Sequence, residues 1–311
     1  MHNFEVFKQL LDAIESAPII TLFRHVNPDP DAYGSQLALK EWIRYAYPDK
    51  QVYALGQGER SDEMDEVDDQ TIANSLAIVT DTANRDRVDD QRFLLAHQIA
   101  RMDHHLQIED FGPLDLVDIH ASATCEIQAL MFKQAGMNIG PKAAQEMLQG
   151  LMADSQRFTI TTVRPQSFEA AAWLMEQQAN PQQAAKFLFS RDYSTFEISA
   201  FIASRAVKKG AFLFSVVSQQ DYLSRGVSFE TAKSQVNALN NIKGIMIWAL
   251  FTQQPDGLYS ASLRSAKVAI NELANQYGGG GHQQACGIKN LDVRKLTSLI
   301  EQLEQLAQNE N

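Results

Sequence analysis

Ile19-Ile20-Thr21-Leu22-Phe23-Arg24-His25-Val26-Asn27-Pro28-Asp29-Pro30-Asp31 joins an apolar run to a turn that carries one imidazole and two carboxylates. A short apolar run bounded by turn residues reads as a buried strand. The pattern recurs downstream. Leu76-Ala77-Ile78-Val79 leads to Asp81, and Gln98-Ile99-Ala100-Arg101-Met102 leads to Asp103-His104-His105. Between them, Leu37, Leu39, Trp42, Ile43 and Tyr45 follow helical spacing from near Gly34-Ser35. Apolar runs alternating with helical patterns predict a mostly parallel sheet flanked by helices, an α/β domain. Such open sheets hold ligands at the carboxyl ends of their strands, where all three runs deposit polar clusters.

Farther on, Ala143, Ala144, Met147, Leu148, Leu151 and Met152 recur at helical spacing and place Asp154 just past a helix C-terminus. The helix dipole disfavours an anion there, so a neutralising metal would explain the acid. Helices are also predicted over Pro165 to Gln178 and Pro181 to Phe189. The polar stretch from Ser190 reads as the end of the first domain. The second half changes character. Phe212 to Val217 and Ile245 to Phe251 read as strands, and Gln254-Pro255-Asp256-Gly257 turns the latter into Leu258 to Arg264 as a hairpin. Val268 to Tyr277 reads as a helix stopped by Gly278-Gly279-Gly280-Gly281, and Asp292 as the N-cap of a final helix. The expected division is residues 1–189 as the metal-site domain, 190–209 as a linker and 210–311 as a smaller α+β domain.

The chain has 311 residues, 45% hydrophobic and 21% charged, which suits two globular domains. Its longest apolar runs fall well short of the ~20 residues a membrane helix needs, so no membrane association is expected. No basic start leads into an apolar signal core near the N-terminus, and a cytoplasmic location is expected. Only Cys125 and Cys286 occur, without metal-ligand spacing, which fits buried thiols and argues against a thiolate zinc site. A net charge of −11 disfavours long-range attraction to nucleic acid. Short nucleotides are not excluded, because a metal, an Arg and backbone N–H groups hold phosphates locally. The acid-rich segment from Glu59 to Asp69 reads as a solvated surface.

His25, Asp29, Asp31, Asp81, His104 and Asp154 form an oxygen and imidazole donor set without thiolate, able to hold two divalent cations. It matches Mn²⁺ better than Ca²⁺ or structural zinc, with Mg²⁺, Co²⁺ or Fe²⁺ also suited. Two ions ~3.5–4 Å apart can bind phosphoryl oxygens and lower the pKa of a bound water, the needs of phosphoester hydrolysis. Taken singly, an Asp after a strand is more often a cap or turn residue, and an isolated His a satisfied hydrogen-bonding group.

In order and spacing these residues resemble the four motifs of the DHH phosphoesterase superfamily. Arg264-Ser265 and Tyr277 to Gly287 are similar to the Arg-Ser and Gly-Gly-Gly-His elements of the DHH-associated C-terminal domain. Arg24 to Ser35 resembles the first motif of the nanoRNase/pAp-phosphatase subfamily over almost its full length. The resemblance implies that His25 and Asp29 hold one ion, that Asp31, His104 and Asp154 hold the other, and that Asp81 bridges them. It implies that His105 contacts the phosphate or protonates the leaving oxygen. Asp103 then orients a ligating His or is a plain helix cap. Arg264, Ser265, Gly279, Gly280, Gly281 and His282 are implied as substrate contacts, which makes 210–311 a substrate-binding domain and places the active site in the cleft between the two domains. Asn271 is a further contact or part of a solvated helix face.

The chain departs from its resembled relatives at Asp154-Ser155-Gln156-Arg157-Phe158, where Thr then Gly usually follow the Asp, and at Cys286, where a smaller residue is common. The implied substrates are short oligoribonucleotides of about two to five units and 3'-phosphoadenosine 5'-phosphate (pAp). A cyclic di-AMP or pApA phosphodiesterase is the neighbouring alternative, and a non-catalytic nucleotide sensor the rival from another class. A pyrophosphatase or a processive DNA exonuclease fits less well. A homodimer is left open.

Overall fold

In a computed structural model, which describes residues 2–309, the chain forms two compact units, Met1–Ser190 and Arg191–Asn311. In the first, α1 (His2–Ser16) leads into β1 (Ile19–Phe23), α2 (Pro30–Ala46), β2 (Gln51–Ala54), α3 (Asp69–Ala73) and β3 (Leu76–Thr80). Then come β4 (Gln98–Asp103), β5 (Leu114–Val117), α4 (Thr124–Gln134), α5 (Gly140–Asp154), α6 (Pro165–Glu176) and α7 (Pro181–Phe189). The five strands are parallel in the order β2-β1-β3-β4-β5. Strand order therefore reverses between β1 and β3, which opens a crevice at their carboxyl ends. Both faces are covered, since Ile20 and Leu22 join one core and Phe23, Ala77 and Val79 another.

The sheet matches the expectation, and the first helix corrects it. α2 begins at Pro30 rather than near Gly34-Ser35, because the Asp29 carboxylate accepts from the backbone N–H of Asp31 and Ala32 at 3.0 Å and Pro30 takes the first helical position. Asp31 consequently sits on a helix, buried, rather than in a loop.

The second unit comprises α8 (Tyr193–Ser204), β6 (Val207–Lys209), β7 (Phe212–Val217), α9 (Gln219–Leu223), α10 (Phe229–Ser234), β8 (Ile247–Gln253) and β9 (Tyr259–Ser265). It ends with α11 (Asn271–Gln276), β10 (Gly280–His282), β11 (Ala285–Leu291) and α12 (Val293–Asn309). Its mixed sheet runs β10-β11-β9-β8-β7-β6, with β7 and β8 parallel. Leu296, Leu299 and Leu303 of α12 cover one face, and Ile198 and Ile202 of α8 pack with Trp248 and Leu250 on the other.

Three expectations change here. Residues 190–209 are no linker: burial of Ile198 and Ile202 folds them into α8 and β6 of the second unit. The helix expected over 268–277 starts only at Asn271, since Val268 and Ile270 are tied to Ser265 and Gln283 by hydrogen bonds. The glycine run is not only a turn, for Gly280–His282 pairs as an edge strand with β11.

Candidate metal centre

Four strand or helix ends converge at the β1/β3 crevice. His25 follows β1, Asp81 follows β3, His104 follows β4, and Asp154 closes α5. Three donor sets form, each with its ligand atoms within 4.8 Å of one another: His25, Asp29 and Asp81; Asp31, His104 and Asp154; and Asp81, His104 and His105. The two oxygens of Asp81 face different histidines. Oδ2 lies 3.4 Å from His25 Nε2, and Oδ1 lies 3.4 Å from His104 Nε2. His104 Nε2 is also 3.3 Å from Asp154 Oδ2, and His25 Nε2 is 3.8 Å from Asp29 Oδ2.

The outer nitrogens fix the ring roles. His25 Nδ1 meets the Val26 carbonyl at 2.8 Å and His104 Nδ1 the Ala121 carbonyl at 3.3 Å. A carbonyl only accepts, so Nδ1 carries the proton and the neutral ring keeps its Nε2 lone pair for a ligand. His105 differs. Its Nδ1 lies 2.8 Å from Asp103 Oδ1, and Asp103 is in turn 3.7 Å from the buried Arg101 guanidinium. Asp103 therefore orients His105 and not the ligand-type His104. Arg101 is itself locked by a two-pronged pair with Asp115 at 2.7 and 2.8 Å.

Packing so many acids together perturbs them. Burial, reinforced by the Asp81 charge, pushes Asp31 up to about 7. Burial and the charges of Asp31, Asp81 and Asp29 push Asp154 up to about 8. Burial opposes charge on His104, but its hydrogen bond to Asp81 and the charges of Asp31, Asp81 and Asp154 prevail and raise it to about 10. Asp81, although buried, is held well below the usual carboxylate range by His104 and His25. Unneutralised carboxylates crowded in a low-dielectric pocket are costly, and divalent cations are the natural remedy. The donors fit them, with oxygen in excess, two imidazoles and no thiolate.

Residues 19–153 match the DHH family N-terminal domain and residues 209–309 the DHHA1 domain. The chain is 32% identical to the Bacillus subtilis bifunctional oligoribonuclease and PAP phosphatase NrnA, covering 96% of this chain and 97% of that one. A Streptococcus mutans relative is 31% identical, over 96% and 98% of the two chains. The chain belongs to the DHH family. An exopolyphosphatase-related protein from Bacteroides fragilis shares the fold, with a TM-score of 0.82, 20% identity and 98% coverage of both chains.

One positioning residue of this DHH centre escaped the sequence reading. Thr124, at the start of α4, donates its backbone N–H to Asp31 Oδ2 at 2.7 Å and its hydroxyl to Asp81 Oδ1 at 3.1 Å. Cys125 N–H adds a bond to Asp31 Oδ1 at 3.1 Å. These bonds span 93, 43 and 94 residues, and no local motif announces them. The departure at Ser155-Gln156 leaves a mark on the backbone. Gln156, Arg157 and Phe158 hold φ of 44°, 61° and 64°, a left-handed run that costs non-glycine residues roughly 1–2 kcal/mol each. Ser155 Oγ steadies this turn by accepting from Phe158 N–H at 3.1 Å.

In the second unit, strand register brings Arg264 and His282 to either side of Ala285. Ser265 is buried and its hydroxyl is spent on the Val268 carbonyl, so it shapes the segment. Asn271 opens α11 and is half-buried. A Cβ at Gly279 would collide with the Gly287 carbonyl, and one at Gly281 (φ 138°) with the Ala285 carbonyl, so packing alone demands these two glycines. Cys286 is buried in the core, as expected of a plain thiol.

Proposed function

We propose that the chain is a metal-dependent phosphoesterase that hydrolyses short oligoribonucleotides to mononucleotides and removes the 3'-phosphate of pAp. The observation that carries this reading is Asp81, with one carboxylate oxygen toward His25 and the other toward His104. The substrate pair rests on the Bacillus subtilis relative, which is named for both activities and is matched along nearly its whole length. His25, Asp29 and Asp81 would hold one cation and Asp31, His104 and Asp154 the other, with Asp81 shared and Mn²⁺ the ion of choice. Two such ions supply charge for the phosphoryl oxygens and a water of lowered pKa.

The chain's own groups do the rest. His105, steadied through Nδ1 by Asp103, presents Nε2 to the leaving oxygen and donates its proton as general acid. Arg264 and His282 grip a substrate phosphate, Gly280 lets it approach the backbone, and Ser265, Asn271, Gly279 and Gly281 shape that grip. The two buried, unpaired cysteines suit a reducing cytosol as the working compartment.

Turnover of a diribonucleotide, pAp, pApA, cyclic di-AMP and pyrophosphate with Mn²⁺ tests the reading, alongside Asp81→Ala and His104→Ala. The diribonucleotide and pAp are expected to be hydrolysed, and both variants to fall to background while melting cooperatively. Full turnover by Asp81→Ala would sink the shared-ligand arrangement. Preference for pApA or cyclic di-AMP would favour the cyclic-dinucleotide alternative, and silence on every substrate a sensor.

A further inference from the structure

Part of one sheet face in the second unit is floored by small residues. Ala261 and Leu263 of β9 point into the core beneath α12, so Ser260, Ser262 and Arg264 point the other way. On β11, Cys286 and Ile288 face that core and Gly287 and Lys289 face away. Register sets Arg264 opposite Ala285, and Ser262 opposite Gly287, which in turn faces Gly280. Beyond the row of Arg264 and His282 opens a cavity of about 450 Å³, lined by Ser260, Ser262, Gly280, Gly287, Lys289 and Lys233 among others.

Its chemistry inverts that of the chain. The molecule carries a net charge of −11, yet among the described residues no Asp or Glu lines this cavity and two lysines do. Lys289 is exposed, and Lys233 pairs with the solvent-facing Glu230 and lies 5.4 Å from the centre of the Phe229 ring, surface contacts that a ligand readily replaces. The floor is also telling. Gly280 and Gly287 have no left-handed φ, and a Cβ on either would find nothing nearer than 3.9 and 4.0 Å. Packing thus demands neither glycine, although each weakens its strand. Glycine in a strand under open space suits a close approach by another group as well as the ladder irregularity that follows Ile288.

We propose that this cavity is a second phosphate-and-sugar subsite, which takes a nucleotide farther along a short oligonucleotide than the one gripped at Arg264 and His282. It rests on the phosphoesterase reading and deepens it. Ser260 lies four residues from Arg264, about 13 Å along an extended strand. A chain of two or more nucleotides bridges that span, whereas pAp does not. Lys289 and Lys233 supply charge to the distal phosphate, and bare glycine lets the chain lie against the sheet. Ser262 Oγ donates to the Lys233 carbonyl at 3.3 Å and is left to accept from a ribose hydroxyl, while Ser260, buried and bonded to Gln254 Oε1 at 3.1 Å, only shapes the wall.

Two variants of the full chain test this, Lys289→Glu and Gly287→Val. The first reverses a wall charge. The second fills the floor with a residue that favours strands, so folding is retained. Each is expected to lower the pentaribonucleotide-to-pAp ratio of kcat/KM about tenfold through a higher KM on the pentamer, Lys289→Glu by losing a charge-assisted contact and Gly287→Val by blocking the close approach. Fluorescence anisotropy of a labelled pentaribonucleotide in EDTA should show the same weakening, with Lys289→Arg restoring it. Equal losses on both substrates, or none on the pentamer, overturn the subsite. Wild-type protein that turns over neither substrate refutes the phosphoesterase reading. Unchanged pentamer affinity in Gly287→Val then overturns the subsite separately.

Discussion

Gly150→Ala puts the geometry of the metal centre under direct strain. α2 carries Asp31 and α5 carries Asp154, and the two helices cross at Gly34 and Gly150. A Cβ on Gly150 would lie 2.8 Å from Asp31 Oδ1 and 3.0 Å from Asp31 Cα, and would also strike Cys125 Sγ. Ordinary contact between such atoms needs ~3.5–4 Å, so α2 must retreat by roughly 0.5–1 Å. Alanine improves helix propensity by about 1 kcal/mol. Overpacking costs about 1–3 kcal/mol, so the net change is a loss of up to ~2 kcal/mol. For a unit of this size that lowers Tm by up to ~8 °C. Moving Asp31 by ~1 Å relative to Asp154 should cost turnover about a hundredfold. Thermal melting by circular dichroism and diribonucleotide hydrolysis with Mn²⁺ measure the two effects. Adding Cys125→Ala removes the sulfur collision but not those with Asp31, so it should recover part of Tm and little turnover. A Gly150→Ala protein with raised Tm and turnover within a factor of two of wild type would show that propensity prevails and that the crossing does not set the site.

Cation binding should release protons. Metal-free, the centre holds a proton on His104 (about 10) and mostly on Asp154 (about 8) at neutral pH, with Asp31 (about 7) half-titrated. These protons must leave as the ligands bind, so Mn²⁺ affinity rises with pH from 6 to 8 and falls on acidification. Calorimetry in buffers of different ionisation enthalpy counts them, and a pH-independent affinity contradicts the electrostatics. Gln156→Gly should stabilise the first unit, because relief of left-handed strain worth roughly 1–2 kcal/mol exceeds the ~0.4–1 kcal/mol of added chain entropy. A lower Tm would show that the turn is not strained.

Much of the centre was legible because it is local. Buried strands announce themselves as apolar runs, and the residue after each run must emerge at the sheet's carboxyl edge, so His25, Asp81 and His104 could be placed before any packing was known. The start of α2 was misread because its apolar face begins later than its cap, and Asp29 reads as a turn residue until its carboxylate is seen bonded to the N–H groups of Asp31 and Ala32. The supposed linker misled because α8 buries only a few residues, among them Ile198 and Ile202.

By itself the sequence determined which donors exist and at which strand ends they lie, since side-chain type and strand period are local properties. Only the tertiary structure decided what each donor does. Thr124 reaches Asp31 and Asp81 across 93 and 43 residues, Asp103 serves His105, and Gly287 comes into register with Gly280 and Ser262 on neighbouring strands. A hydrogen bond or a shared pocket depends on which distant elements pack together, and the hydrophobic core sets that packing through contacts no local stretch of sequence records.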